Sequence, residues 1–177
     1  MEIKAVFFDI DGTLVNDSRM VLKSTEKAIR ALKEQGIFVG LATGRGPFFV
    51  RPFIERYDFD FAVTYNGQYI FTKDKVLSAS PIDKKNLHDL IDYAKNHRIE
   101  IALGTEDGVE GSRIMSFGLS PISLWSARFV PKGFSKAVSQ GFNKVVSKAV
   151  PQDQKQLQQI AQGPVYQVLL LASPKDT

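Results

Sequence analysis

The chain has 177 residues, 44% of them hydrophobic and 24% charged, a balance that buries one sizeable core and excludes a disordered polypeptide. It holds no cysteine and two histidines, His88 and His97, which excludes a disulfide framework or thiolate metal site and argues against a histidine-rich zinc centre. The net charge of +4 is thin, and its most basic stretch (Arg128, Lys132, Lys136, Lys144, Lys148, Lys155) has Phe129, Phe134 and Phe142 as its aromatics and Asp153 as its acid, so it reads as a solvated face rather than a nucleic-acid surface.

The N-terminal segment from Met1 meets a carboxylate at Asp9 after a short apolar run. That run is too short for a signal peptide or a membrane span, and a cytoplasmic protein without a membrane partner is expected. Lys4 to Ile10 is nearly all apolar, which predicts a strand buried on both faces, as in a parallel sheet. Ser24 is placed to cap a helix running to about Gln35, with Ala28, Ile29 and Leu32 on one face and Gly36 ending it. Ile37 to Ala42 reads as a second buried strand, closed by Thr43-Gly44-Arg45-Gly46. Pro47 suits the first turn of a helix to about Tyr57, and Phe61 to Tyr65 supplies a third strand ending at Asn66-Gly67. This alternation predicts an α/β doubly wound parallel sheet, in which ligands sit beyond the carboxyl ends of the strands. All three loops fall at such ends.

Tyr69–Thr72 and Lys75–Ser78 flank Lys73-Asp74 as a hairpin, and Ser78-Ala79-Ser80-Pro81 has the composition of a hinge. A helix is expected from Asp83 to about His97, with Leu87, Leu90, Ile91 and Ala94 on one face, then a strand from Ile99 to Leu103 and a Gly-rich turn region. A second helix, Asp153 to Gln162, precedes a strand from Val165 to Leu171. Two regions are therefore expected, residues 1–82 and 83–177.

Asp9 and Asp11 stand at i and i+2 where the first strand ends, so both side chains point to one side, and Gly12 lets the backbone turn tightly beside them. Such a pair suits phosphoryl transfer. One carboxylate attacks phosphorus to form an aspartyl-phosphate, and the other protonates the leaving alkoxide and then activates water. Two carboxylates would repel a phosphate dianion, so the arrangement calls for a divalent cation, and oxygen ligands favour Mg2+.

Phe7-Phe8-Asp9-Ile10-Asp11-Gly12-Thr13-Leu14 resembles the first motif of the haloacid dehalogenase superfamily, and Ala42-Thr43-Gly44-Arg45 resembles its second. With Asn66-Gly67 after the third strand, the pattern is similar to the Cof-type phosphatase branch, whose αβ cap is inserted after that strand. About a dozen residues separate Asp11 from Ser24, too few for a cap there. The resemblance implies Asp9 as nucleophile, Asp11 as acid/base, both as metal ligands for Mg2+, and Gly12, Thr43, Gly44, Arg45 and Asn66 around the phosphate. Arg45 and Asn66 either contact the phosphate or tie the loops together. Residues 1–82 would be the N-terminal part of the core, and 83–177 a partial cap that selects a small phosphorylated metabolite, such as a sugar phosphate.

A complete member of that family returns from the cap with a lysine and an acidic motif that finish the site, and neither is found after Val165. Lys175 and Asp176 do not take those roles. The chain is thus similar to an N-terminal portion, and its first strand would have one open edge. Such an edge on an apolar strand invites aggregation or pairing with another chain, so residues 1–177 alone are expected to be poorly stable unless the remainder is supplied elsewhere. Alternatives are a phosphomutase, which returns the phosphoryl group to substrate, and an inactive relative that binds a phosphorylated ligand. A P-type ATPase is disfavoured, because Asp11 stands where such enzymes resemble Asp-Lys-Thr-Gly-Thr.

Overall fold

The computed structural model describes residues 2–16, 20–97, 99–111 and 154–171. The basic run from Arg128 to Lys148, the expected helix start at Asp153, and Lys175 and Asp176 lie outside the described residues. The chain divides into two compact units, Met1–Ser80 and Pro81–Thr177. No helix among the described residues is long and apolar enough to cross a membrane.

The first unit carries β1 (Ala5–Phe8), α1 (Lys23–Glu34), β2 (Phe38–Ala42), α2 (Pro47–Tyr57), β3 (Phe61–Thr64), β4 (Tyr69–Phe71) and β5 (Val76–Ala79). They form a five-stranded sheet in chain order. Strands β1, β2 and β3 pair in parallel, with Val6 beside Val39 and Leu41 beside Ala62, and β4 and β5 add antiparallel. Parallel neighbours need a crossover, which α1 and α2 provide.

α1 begins at Lys23, with Leu22 as its N-cap and no side-chain cap bond, so Ser24 is not the cap that its residue type suggested. Its other end is as expected. Gly36 takes φ 75°, its N–H donates to the Lys33 carbonyl (2.9 Å), and the Ile37 N–H donates to that of Leu32 (3.1 Å). This paired closure satisfies two carbonyls that the helix leaves unbonded, and glycine adopts its left-handed φ without a Cβ penalty. Pro47 starts α2, where a missing N–H costs nothing, and Asp58 closes that helix in the left-handed region at φ 54°.

The sheet's two faces differ. Val39, Leu41 and Ala62 are fully buried, as are Ile29 of α1 and Val50 of α2, which forms the core on the helix-covered side. Alternation sends Phe7, Phe38 and Phe61 to the opposite face. There the Phe61 ring lies across Gly40, in the space a Cβ would occupy, and packs edge-on against Phe7 at 5.0 Å between centroids. Phe7 and Phe38 remain 53% and 61% exposed. The expectation that the first strand is buried on both faces is therefore corrected: β1 has β2 as its single neighbour among the described residues, and one of its faces is open.

The second unit carries α3 (Lys84–Asn96), β6 (Glu100–Gly104), β7 (Val109–Gly111), α4 (Gln154–Ile160) and β8 (Gln167–Leu171). The Asp83 carboxylate accepts from the N–H groups of Lys85 (2.9 Å) and Asn86 (3.2 Å) and caps α3. An antiparallel sheet in the order β7-β6-β8 packs Ile101 and Leu103 against Leu87, Ile91 and Ala94 of α3 and Leu157 of α4. β7 is an addition to the expected elements, lying where only a Gly-rich turn was foreseen.

Candidate active site

The carboxyl end of β1 turns within a few residues. Leu14 donates its N–H to the Asp9 carbonyl (3.1 Å) and Val15 to that of Ile10 (3.0 Å), while Gly12 sits at φ 75°. Ile10, Leu14 and Val15 are buried. These apolar anchors pin the turn beneath, and Asp9 and Asp11, flanking Ile10, come out together. Asp9 is exposed and Asp11 half-buried.

The second loop, Thr43 to Gly46, is held from two sides. The Thr43 N–H donates to the Val63 carbonyl (2.9 Å), and the Arg45 carbonyl accepts from the Tyr65 N–H (3.0 Å). The Thr43 hydroxyl oxygen accepts the Arg45 N–H (3.3 Å). From this support the Arg45 side chain reaches back to the first loop. Its Nε donates to Asp11 Oδ2 (2.9 Å) and its Nη2 to Oδ1 (2.5 Å), a two-bond fork between guanidinium and carboxylate. Of the two roles open to Arg45, tying the loops together is the one this geometry realises.

The third loop, Tyr65 to Gly67, is a short 3-10 turn in which three successive residues have positive φ, at 50°, 55° and 99°. Glycine adopts such values freely, and asparagine more readily than most residues, but a buried tyrosine there is unusual. The surroundings explain it. The Tyr65 hydroxyl and ring fill the space beside Gly46 that a Cβ would take, and Asn66 Oδ1 lies 3.2 Å from where a Gly44 Cβ would stand. Gly46 is thus needed for close approach and Gly44 makes a tight one easy, and the Asn66 N–H reaches the Thr43 carbonyl (3.4 Å). Burial pushes the Tyr65 phenol far above its ordinary pKa, so it is a neutral hydroxyl. Tyr65 was missing from the residues singled out in the sequence, where it reads as the last residue of a strand. The Asn-Gly that follows marks the turn but not its buried partner.

All the candidate residues therefore lie on three loops at the carboxyl ends of β1, β2 and β3. Main-chain bonds and the Arg45 fork join Asp11, Thr43, Arg45 and Asn66, while Asp9 and Gly12 are exposed. Among the described residues no group of three or more acidic, histidine or cysteine side chains is assembled for a metal ion. The donor set is two carboxylates, one exposed and one shared with a guanidinium. That fits an ion of the Mg2+ type, which keeps several waters and is commonly held by one or two carboxylates together with a substrate's phosphate.

The sequence profile of haloacid dehalogenase-like hydrolases matches residues 6–177. YkrA of Bacillus subtilis, named provisionally a phosphatase, is 30% identical over 112 residues, which are 63% of this chain and 44% of YkrA. The 5-amino-6-(5-phospho-D-ribitylamino)uracil phosphatase YcsE of the same organism is 33% identical over 89 residues, half of this chain and 34% of YcsE. Among solved structures, the haloacid dehalogenase subclass IIB sugar phosphatase BT4131 superposes with a TM-score of 0.64 at 21% identity, covering 98% of this chain and 60% of that one, a likeness of fold. The match spans less than half the length of these two curated relatives. The chain belongs to the haloacid dehalogenase-like hydrolase family, in its Cof-type branch.

Proposed function

We propose that this site hydrolyses phosphate monoesters of small cytoplasmic metabolites, sugar phosphates or compounds of similar size, through an aspartyl-phosphate on Asp9. The observation that carries the reading is the placement of two carboxylates on either side of buried Ile10, one exposed for attack and the other held still by Arg45. In the first half-reaction an Asp9 oxygen bonds to phosphorus as the ester P–O bond breaks, and the departing alkoxide takes a proton from the Asp11 carboxyl group. In the second, water attacks the same phosphorus and gives its proton to the Asp11 carboxylate. The Asp9–phosphorus bond then breaks, releasing inorganic phosphate and restoring both aspartates.

Thr43, whose hydroxyl hydrogen is not used in accepting the Arg45 N–H, is suited to hold the transferring phosphoryl group with the main chain of Gly12 and Gly44, and Asn66 stands exposed beside them. Asp9 and Asp11 would hold Mg2+, with Asp11 limited by its fork to Arg45. When bound, the ion would neutralise negative charge between the carboxylates and the phosphate. Residues 1–82 would form part of the catalytic core and 83–177 part of a cap that selects the substrate.

The test is hydrolysis of p-nitrophenyl phosphate with and without magnesium, by the chain and by its Asp9→Asn variant. Magnesium-dependent turnover that disappears in Asp9→Asn is expected. Turnover that Asp9→Asn leaves unchanged would remove Asp9 as nucleophile, and no turnover in either form would favour a chain that binds phosphorylated ligands without hydrolysing them.

A further inference from the structure

Arg45 is the one charged residue buried among the described residues, at 4% exposure, yet its guanidinium ends on a residue of the site that is itself much more open. We infer that Arg45 is the positioning residue for the Asp11 carboxylate, fixing the direction in which that group exchanges a proton with the leaving group. The inference rests on the phosphatase reading above.

The asymmetry of the pair says which member positions the other. The Arg45 main chain is held at its N–H by the Thr43 hydroxyl (3.3 Å) and at its carbonyl by Tyr65 (3.0 Å). The next residue, Gly46, lies under the Tyr65 ring. Asp11 also stands on a pinned turn, but its side chain is 27% exposed against 3% for that of Arg45. The more enclosed side chain is the arginine. Two parallel bonds from Nε and Nη2 fix the plane of a carboxylate as well as its position, which a single bond cannot do. The same two bonds, with the deep burial, leave the Arg45 guanidinium poorly placed to wrap a phosphate in the loops. The left-handed backbone at Tyr65 and Asn66 has its use here: it directs the N–H of Tyr65 to Arg45 and that of Asn66 to Thr43, the two residues that carry the fork.

An acid matters most where the leaving group needs a proton. An alkoxide leaving from a sugar phosphate requires one, whereas p-nitrophenolate departs without. The ratio kcat/KM covers only the steps up to departure of that group, so the second half-reaction does not enter. Arg45→Lys keeps the positive charge and removes the fork. With magnesium present it is expected to lower kcat/KM on a hexose 6-phosphate by about a hundredfold, the order of loss for a misplaced catalytic group, and on p-nitrophenyl phosphate by less than about threefold. Asp11→Asn, which also removes a proposed Mg2+ ligand, should lower both ratios, that on the hexose 6-phosphate further. Equal losses on both esters would assign Arg45 to phosphate binding or to general structure, and no loss would remove it from the site; either overturns the inference. An independent reading needs no turnover. In the 15N spectrum of the unsubstituted chain the Arg45 Nε–H should exchange slowly with solvent and lose that protection in Asp11→Asn. Fast exchange in the unsubstituted chain would overturn the inference even if Arg45→Lys failed to fold. No hydrolysis of either ester by the unsubstituted chain would remove the phosphatase reading and this inference with it, an outcome distinct from equal losses in the variant.

Discussion

At Gly46 the backbone is ordinary, with φ −79°, so a substitution there is judged by space alone. A Cβ would overlap the Tyr65 hydroxyl and ring, and Tyr65 is 2% exposed with nowhere to turn. Gly46→Ala should therefore destabilise by about 1–3 kcal/mol, the usual cost of overpacking a filled site. Gly40 offers the contrast. Its Cβ would meet the Phe61 ring, but that ring lies on the sheet's open face beside exposed Phe7 and can swing aside. Gly40→Ala should cost less, and urea denaturation of the two variants side by side measures the difference. The placement of the candidate residues was legible at this scale, because Asp9, Asp11 and Thr43 stand by residue type just beyond apolar strands that end at Phe8 and Ala42. The partner of Arg45 was not, since a fork between residues 34 apart in the chain follows from how two loops meet and leaves no mark in local spacing.

Lys33, in the last turn of α1, joins that helix to the connection between α2 and β3. Its Nζ donates to Asp58 Oδ2 (2.7 Å) and to the Asp58 carbonyl, and pairs with Asp60 Oδ1 at 3.1 Å. The other Asp60 oxygen accepts the Val39 N–H (2.8 Å), so one lysine links α1, α2 and the start of β2. Partial burial works to lower the Lys33 pKa, but the hydrogen bonds to Asp58 and Asp60 outweigh it and raise the pKa above its ordinary 10.5. The Lys33 hydrogen bond holds Asp58 below its ordinary 3.8 against the opposing effect of burial. A depressed carboxylate contributes stability that is present above its unfolded value and lost as pH falls through its folded one. A raised lysine contributes stability that is present below 10.5 and lost as pH rises through its folded value. The link should thus stabilise between these limits and fade below about pH 3.8 and above about pH 10.5. The Asp58 side chain is 79% exposed, so the contribution is about 1 kcal/mol at most. Chemical denaturation across pH should show both slopes reduced in Lys33→Met. Elements such as α2, Pro47–Tyr57, could be placed from sequence because Pro47 marks a start that sterics enforce. β7 could not, because three residues beside glycines carry no periodicity and become a strand only by pairing with β6.

Across the whole molecule, β1, which leads into Asp9, is an edge strand among the described residues. Division into two α/β units was foreseeable from the repeated helix and strand pattern on either side of Ser80-Pro81. The exposure of β1 was harder to weigh, because an all-apolar strand reads as central whether or not a second neighbour is at hand. Its register makes the consequence measurable. The Phe38 N–H donates to the Lys4 carbonyl (3.0 Å), and in a parallel ladder that phase turns the N–H groups of Val6 and Phe8 toward β2 and those of Ala5 and Phe7 away. In dilute solution the Val6 and Phe8 amides should exchange with solvent at least roughly tenfold more slowly than those of Ala5 and Phe7. Ile3, Phe7 and Phe38, all more than half exposed, adjoin the same edge, a combination that favours pairing with a second chain. Raising the concentration should therefore slow the Ala5 and Phe7 amides, while Phe38→Lys, which adds a charge to the open face and removes nothing from the core, should suppress that slowing and lower the sedimentation coefficient at high concentration. Ala5 and Phe7 amides that are slow even at high dilution would mean that β1 has a strand on its second side, with the loop that presents Asp9 and Asp11 held from both.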